Sequence, residues 1–184
     1  MSKVTVFGAG AWGSTMAQVL SDAGNDVLLW GRSQQVIDEI NSSHTNAKYL
    51  GSHILPSAIS ATTNLSSAFA FSEIYVLAIP AQQIRATLQE WKGNFSSSCT
   101  IVSTLKGIEI TSQKRMTEVI EDVLGPHKIA IITGPNLADE LVLRQPAGAV
   151  AAAATTELAE SIRELFRTPY YRVYTSVDVM GCEL

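Results

Sequence analysis

The sequence predicts an α/β fold built on a doubly wound, mostly parallel sheet with helices on both faces. Strand-like and helix-like segments alternate through most of the 184 residues. Strands separated by helices of this length are joined by right-handed crossovers, which produce parallel sheets covered on both sides. A glycine-rich turn, GAGAWG, follows the first β-branched run and opens the first helix-like stretch. Together these features predict the Rossmann-type arrangement.

Seven segments have the short apolar or β-branched runs of buried strands. In chain order they are Val4–Phe7, Asp26–Arg32, Glu73–Pro80, Thr100–Leu105, Lys128–Thr133, Gly148–Ala154 and Tyr170–Thr175. Pro80 ends the third of them, because proline has no amide hydrogen to donate to a sheet.

Six segments between these strands are predicted helices. They are Ser14–Ser21, Gln34–Asn41, Gln82–Lys92, Ser112–Leu124, Ala138–Leu143 and Glu157–Arg167. The polar stretch Ser42–Ser57 is predicted as a loop, and Thr62–Phe71 is ambiguous, with Asn64 suited to cap a short helix. Asp178 is suited to cap a last helix, whose apolar face has nothing in these 184 residues to cover it.

Composition excludes several classes of function. A net charge of −4 and a pI near 5.3 provide no basic surface for nucleic acid. No apolar run approaches the roughly 20 residues that span a bilayer. The two cysteines and three histidines are scattered, so neither a disulfide framework nor a metal site is expected. We expect a cytoplasmic protein with reduced thiols and no membrane insertion.

Gly8, Gly10 and Gly13 fit the G-x-G-x-x-G pattern of dinucleotide-binding turns. In that pattern Gly8 permits the tight turn, Gly10 lets a diphosphate approach the main chain, and Gly13 lets the helix pack closely on the strand. The alternative is a turn with a purely structural purpose. The position between a strand and a helix favours dinucleotide binding, with the diphosphate at the helix amino terminus.

The end of the second strand bears on the choice between NAD and NADP. An acidic residue there usually binds the adenosine ribose, but this sequence has Arg32 instead, and Asp26 lies at the other end of the strand. Arg32 is suited to stack on adenine or to pair with a 2′-phosphate. A solvated surface arginine is the alternative. The sequence therefore predicts NAD or NADP as cofactor, with acceptance of NADPH through Arg32 as a hypothesis.

Three further strand ends carry candidate site residues, because ligands of open α/β sheets bind beyond the carboxyl ends of the strands. Pro80 offers an apolar wall, or simply ends its strand. Lys106 projects where a phosphate or carbonyl oxygen would lie, unless it is an ordinary exposed lysine. Gly134 and Asn136 follow the next strand, where Asn136 is suited to ligand contact, to helix capping, or to both. His44 lies in a loop with an asparagine and a tyrosine, and its role stays open.

Seven motifs carry a resemblance to bacterial NAD(P)-dependent glycerol-3-phosphate dehydrogenases. In order along the chain they are GAGAWG, LLWGR, HTNAKYL, LAIPAQ, STLKGIE, ITGPNLADE and YYRVYTSVDVMGCEL. The resemblance implies that the cofactor contacts Ala11, Trp12, Arg32, Lys106 and Ala138. It implies that Lys106, Gly134 and Asn136 contact the glycerol phosphate. Family members often carry serine or threonine at the positions of Ala11 and Asn136, so both contacts are altered here.

The resemblance also implies a reaction: reversible hydride transfer between NAD(P)H and dihydroxyacetone phosphate, giving sn-glycerol 3-phosphate for glycerophospholipid synthesis. Lys106 would act near the reacting carbonyl, whereas the family's main catalytic lysine lies beyond these 184 residues. Residues 1–176 are accordingly expected to form the cofactor domain, and residues 177–184 to begin an all-helical domain. The 184-residue chain alone is expected to be inactive, and a homodimer is compatible with the resemblance.

Two alternatives remain open from the sequence. One is another two-domain reductase, of the ketopantoate or 6-phosphogluconate type, which shares the glycine turn. The other is a non-catalytic module that only binds a dinucleotide.

Overall fold

Eight strands form one continuous sheet in the computed structural model, which describes residues 1–184. The strands are β1 (Lys3–Phe7), β2 (Asp26–Trp30), β3 (Ser60–Thr62), β4 (Ile74–Leu77), β5 (Thr100–Ser103), β6 (Lys128–Thr133), β7 (Ala147–Ala153) and β8 (Tyr171–Ser176). Their order across the sheet is β3-β2-β1-β4-β5-β6-β7-β8. Only β6 and β7 pair antiparallel; every other neighbouring pair is parallel.

Nine α-helices connect or follow these strands. They are α1 (Ala11–Asp22), α2 (Gln34–Ser43), α3 (Ala47–Leu50), α4 (Leu65–Phe71), α5 (Ile84–Trp91), α6 (Met116–Leu124), α7 (Ala138–Val142), α8 (Thr156–Phe166) and α9 (Val179–Glu183). A 3-10 turn, Ala81–Gln83, leads into α5. No helix combines the length and the apolar character that crossing a membrane would require.

Each predicted element is present with shifts at its ends, and the structure adds three features. The largest shift is in the helix predicted from Ser112, which begins only at Met116 because the preceding residues belong to the loop after β5. The ambiguous segment Thr62–Phe71 contains helix α4, where Asn64 caps the helix by accepting a hydrogen bond from the Ser67 amide at 2.8 Å. Strand β3 precedes it and was not predicted. The predicted loop Ser42–Ser57 contains the short helix α3. The Asp178 carboxylate caps α9 as expected, accepting from the Gly181 amide at 2.8 Å.

Two hydrophobic clusters cover the two faces of the sheet. One contains 28 buried residues and includes side chains from α1, α2, α7 and α8. The other contains 16 buried residues, with side chains from α4, α5 and α6. Aromatic rings dominate the second cluster: the ring centroids of Phe7 and Trp91 lie 5.0 Å apart, and those of Trp30 and Trp91 lie 4.9 Å apart. Both faces of the sheet are therefore buried, as the alternating sequence pattern predicts.

The order of the strands places a crevice beside β1. From β1 the chain adds β2 and β3 on one side, then crosses to add β4, β5 and β6 on the other. Phe7 and Leu77 are register partners at the carboxyl ends of β1 and β4. The loops that follow these two strands diverge toward opposite faces, which opens a ligand crevice at this switch point.

Candidate functional site

The glycine-rich turn follows β1 and leads directly into α1. Gly8 has a φ of 120°, a region that side chains disfavour, and a Cβ there would collide with the carbonyl oxygen of Ala78. A Cβ on Gly13 would collide with the carbonyl oxygen of Gly8. The fold itself therefore requires glycine at Gly8 and Gly13, and Gly13 has the packing role that the sequence predicts.

Gly10 differs from the other two glycines. Its φ of −83° is accessible to any residue, and a Cβ built there would meet no atom within 4 Å. It is the N-cap of α1, the twelve-residue helix whose amino-terminal amides face this side of the sheet. Neither backbone conformation nor packing explains glycine at this position. Space left free for a ligand at the helix amino terminus does explain it.

A cleft of about 710 Å³ lies over this turn at the carboxyl edge of the sheet. Its 19 lining residues are Gly8, Ala9, Gly10, Ala11, Trp12, Trp30, Gly31, Arg32, Ser33, Val36, Tyr49, Ala78, Ile79, Pro80, Ala81, Thr104, Leu105, Lys106 and Asn136. Two lysine or arginine side chains line it and no carboxylate does, although the whole chain carries a net charge of −4. The cleft is thus a locally positive site in an acidic protein.

Lys106 brings three parts of the predicted site together. Its Nζ atom donates a hydrogen bond to the carbonyl oxygen of Gly134 at 2.8 Å. The same atom lies 5.8 Å from the centre of the Trp12 ring, within the range of a cation–π contact. The side chain is exposed on the cleft side, so its remaining hydrogens are free to meet a bound oxygen.

Asn136 lines the cleft beside Lys106 but does not cap the following helix. Leu137 is the N-cap of α7, without a side-chain hydrogen bond, which excludes the capping alternative. The Asn136 Nδ2 atom donates to the hydroxyl of Tyr171 at 3.3 Å. Burial raises the pKa of Tyr171 well above its ordinary value, so this hydroxyl stays neutral. Ala138 begins α7 and is half-buried outside the lining of the cleft.

Arg32 lies on the cleft wall just beyond the end of β2. It is exposed and belongs to none of the eight ion pairs of the protein. Asp26 is the register partner of Lys3 at the opposite end of β2, and no carboxylate lines the cleft beside Arg32. The guanidinium is therefore available to a ligand. Pro80 lines the facing wall of the cleft, three residues beyond the end of β4, so it does not itself end that strand.

The motif HTNAKYL contributes in a way that the sequence did not specify. Tyr49 lines the cleft, while Asn46 is completely buried behind the glycine-rich turn. The Asn46 Nδ2 atom donates to the carbonyl of Ala9 at 3.1 Å and to the hydroxyl of Ser14 at 2.8 Å. His44 ends α2 in a left-handed conformation and does not reach the cleft. Asn46 therefore supports the turn and Tyr49 faces its ligand side.

Comparison with protein families gives one match over most of the chain. The family model described as NAD-dependent glycerol-3-phosphate dehydrogenase N-terminus matches residues 3–159 of this chain. The glycerol-3-phosphate dehydrogenase (NAD(P)+) of Streptomyces avermitilis is 45% identical over 99% of this chain and 55% of its own length. The corresponding protein of Corynebacterium diphtheriae is 44% identical over 99% of this chain and 56% of its own length. The chain thus spans little more than half the length of these relatives.

Solved structures show the same architecture. The crystal structure of glycerol-3-phosphate dehydrogenase from Coxiella burnetii superposes with a TM-score of 0.91 at 25% identity, over 99% of this chain and 56% of that one. The Saccharomyces cerevisiae enzyme gives a TM-score of 0.90 at 26% identity, over 100% of this chain and 58% of that one. A pyrroline-5-carboxylate reductase from Coxiella burnetii, at 17% identity and a TM-score of 0.70 over 96% of this chain and 60% of that one, shares the fold alone.

Proposed function

The chain belongs to the family of NAD-dependent glycerol-3-phosphate dehydrogenases, whose N-terminal domain it matches, and on that premise we propose that it is the cofactor-binding part of such an oxidoreductase. The reaction is reversible hydride transfer between NAD(P)H and dihydroxyacetone phosphate, giving sn-glycerol 3-phosphate. In the cell this product would enter glycerophospholipid synthesis.

The free space over Gly10 is the observation that carries the proposal. It is the one glycine of the turn that the fold does not need, and it lies at the amino terminus of α1 on the cleft. A diphosphate placed there would meet main-chain amides and the positive end of the helix dipole, with no Cβ in the way. Ala11 and Trp12 would contribute the next amides, so the missing hydroxyl at Ala11 does not remove this contact.

The other end of the cleft is suited to a phosphorylated ketone. Bound nicotinamide would supply the hydride chemistry. Lys106 would hold its ammonium against the bound cofactor and near the substrate, where a cation stabilises negative charge developing on a carbonyl oxygen. Asn136 would donate or accept hydrogen bonds with the substrate, and Gly134 fixes the position of Lys106 through its carbonyl.

The choice between NADH and NADPH rests on Arg32 in this proposal. Arg32, unpaired on the cleft wall, would face the adenosine end and accept a 2′-phosphate, so that both NADH and NADPH bind. Ala138 lies outside the cleft lining, and a cofactor contact there would use its main chain at the start of α7.

The domain boundary, location and assembly belong to the same proposal. Residues 1–176 form the cofactor domain, and residues 177–184 begin an all-helical domain of the longer protein. We propose a cytoplasmic location and assembly as a homodimer. Sedimentation of the full-length protein tests the assembly, with a monomer at micromolar concentration contradicting it.

The decisive experiment is an assay of NADH and NADPH oxidation by the full-length protein. Dihydroxyacetone phosphate should be reduced, and ketopantoate should not. Turnover of ketopantoate alone would assign the protein to another two-domain reductase. The 184-residue chain, measured beside it, should bind cofactor without turnover, because the lysine that the family uses as proton donor is not among these residues. Cofactor binding without any turnover by the full-length protein would favour a non-catalytic module.

A further inference from the structure

The loop that carries Lys106 runs from residue 104 to residue 115, between β5 and α6, and we call it the Lys106 loop. Two of its apolar side chains point away from the core: Ile108 is 44% exposed and Ile110 is 77% exposed. Gly107, next to Lys106, has a φ of 100°, and a Cβ placed on it would meet no atom within 4 Å. Burial of apolar surface therefore does little to fix this part of the loop.

Polar contacts from the segment after β4 hold the loop instead. The side-chain amide of Gln82 donates to the carbonyl of Ile108 at 2.9 Å and accepts from the amide of Ile110 at 3.0 Å. The two hydrogen bonds resemble those between neighbouring β-strands, since one side chain satisfies both a donor and an acceptor of the loop backbone. Gln82 lies two residues after Pro80, so it ties the apolar wall of the cleft to the loop opposite.

Arg85 provides the second and stronger attachment. Its Nε atom lies 3.0 Å from Glu109 Oε1, and its Nη2 atom lies 2.9 Å from Glu109 Oε2, a two-pronged ion pair. Glu109 is only 4% exposed and also accepts a hydrogen bond from the hydroxyl of Ser112. The hydrogen bonds from Arg85, and to a lesser extent the one from Ser112, lower the pKa of Glu109 below its ordinary value. A buried carboxylate with these partners fixes the middle of the Lys106 loop to α5.

We propose that Arg85 is a positioning residue for Lys106, acting through the ion pair with Glu109. The inference rests on the proposed function, because it assigns Lys106 to the bound cofactor. Lys106 lies three residues before Glu109, and its ammonium reaches the carbonyl of Gly134 only while the loop keeps its present course. Without Arg85, the buried Glu109 carboxylate loses its cation and keeps only the Ser112 hydroxyl as a side-chain partner, so it moves toward water and takes the loop with it.

A double-mutant cycle on the full-length protein tests this role. Arg85→Gln, Lys106→Met and the double variant are compared by the Kd for NADH and by kcat and KM for dihydroxyacetone phosphate. Because Arg85 acts through Lys106, Arg85→Gln should weaken NADH binding about 10-fold when Lys106 is present. In the Lys106→Met background it should change the Kd by less than about 2-fold. An equal loss in both backgrounds, or less than about 2-fold in the first, overturns the proposal.

Two controls separate positioning from general destabilisation. Arg144 makes a similar two-pronged pair with Asp22, at 2.8 and 3.0 Å, away from the cleft, and Arg144→Gln should leave the Kd for NADH unchanged. Arg85→Lys keeps the positive charge but cannot make the two-pronged contact, and it should bind NADH more tightly than Arg85→Gln but less tightly than wild type. If Arg85→Gln does not fold, Glu109→Gln replaces it in the same cycle.

The two proposals fail in different ways. A wild-type protein that binds NADH but does not reduce dihydroxyacetone phosphate refutes the proposed reaction, while the cycle on the Kd still decides the role of Arg85. A wild-type protein that does not bind NADH overturns both. Amide exchange adds a direct measure: the amide of Ile110 should exchange at least about 10-fold faster in Arg85→Gln than in wild type, and an unchanged rate contradicts the loss of loop order.

Discussion

At the scale of single residues, the glycines of the first turn separate fold from function. Gly10→Val should fold, because its φ of −83° suits valine and a Cβ there meets nothing within 4 Å. The loss of a good N-cap residue costs less than about 1 kcal/mol. The valine would occupy the space over the α1 amides, and the Kd for NADH should rise by at least about 10-fold. Titration calorimetry measures the Kd, and thermal unfolding measures the stability.

Gly8→Ala is the matched contrast. A Cβ at Gly8 would collide with the carbonyl of Ala78 in a backbone conformation of positive φ. We expect this variant to unfold at much lower temperature, with binding lost only because the fold is lost. Unchanged NADH affinity in Gly10→Val would show that the diphosphate does not bind at this turn.

Arg32 offers a separate test of cofactor choice. Arg32→Asp should weaken NADPH binding by about 10-fold or more, since it replaces a cation near the 2′-phosphate with an anion. NADH, which has no such phosphate, should be affected much less. The ratio of the two dissociation constants is the measurement, and Arg167→Asp, an exposed charge change on the far end of α8, is the control. An unchanged ratio would make Arg32 an ordinary surface residue.

At the scale of elements, the sequence predicted what depends on local pattern and missed what depends on distant contacts. The periodicity of α6 and the apolar run of β6 are local properties, so both elements were predicted. Strand β3 has three residues, too few for a pattern, and it exists because Leu28 to Trp30 of β2 pair with it. The antiparallel direction of β7 is likewise set by pairing with β6.

The candidate site divides in the same way. Gly10 and Lys106 could be predicted because each follows a recognisable strand end. The structural role of Asn46 could not, because its partners, the Ala9 carbonyl and the Ser14 hydroxyl, lie more than 30 residues away in the sequence. Arg85 and Glu109 were missed for the same reason, being 24 residues apart.

The elements around α6 predict how stability depends on pH. Hydrogen bonds from Arg85 to Glu109, from the Arg115 amide to Glu118, and from Lys114 to Asp122 lower the pKa of each carboxyl. A lowered pKa in the folded state contributes stability that is present above the ordinary carboxyl pKa and disappears as the pH falls through the folded value. The unfolding temperature should therefore decrease as the pH is lowered below about 5.

Glu109→Gln isolates one of these contributions. The stability difference between wild type and variant should be largest near neutral pH and shrink as the pH falls toward 3, because the wild-type carboxyl then becomes neutral as well. Thermal unfolding at a series of pH values measures it. Glu160→Gln, an exposed change on α8, should show no such trend. A difference that is constant with pH would mean that packing, not charge, accounts for the effect of Glu109.

At the scale of the whole molecule, the cleft joins the two hydrophobic cores. Val36 belongs to the cluster on one face, Trp30 belongs to the cluster on the other, and both line the cleft. A ligand that contacts both side chains has affinity only for a chain in which the two faces are folded together. Binding should therefore stabilise the molecule as one unit and not one face alone.

This argument predicts the response of unfolding to cofactor. At an NADH concentration 100 times its Kd, binding contributes about 2.7 kcal/mol. For a chain of this size that raises the midpoint by about 5–10 °C. Trp30 and Trp91 belong to the aromatic cluster on one face, whereas Trp12 packs against the other cluster. Calorimetry and the tryptophan fluorescence of a Trp12→Phe variant, which reports on the aromatic cluster alone, should therefore show the same shift. In Gly10→Val at the same NADH concentration, neither midpoint should move by the full amount. A fluorescence midpoint that rises while the calorimetric transition splits would show that NADH stabilises one face independently, and that the cleft does not couple the two cores.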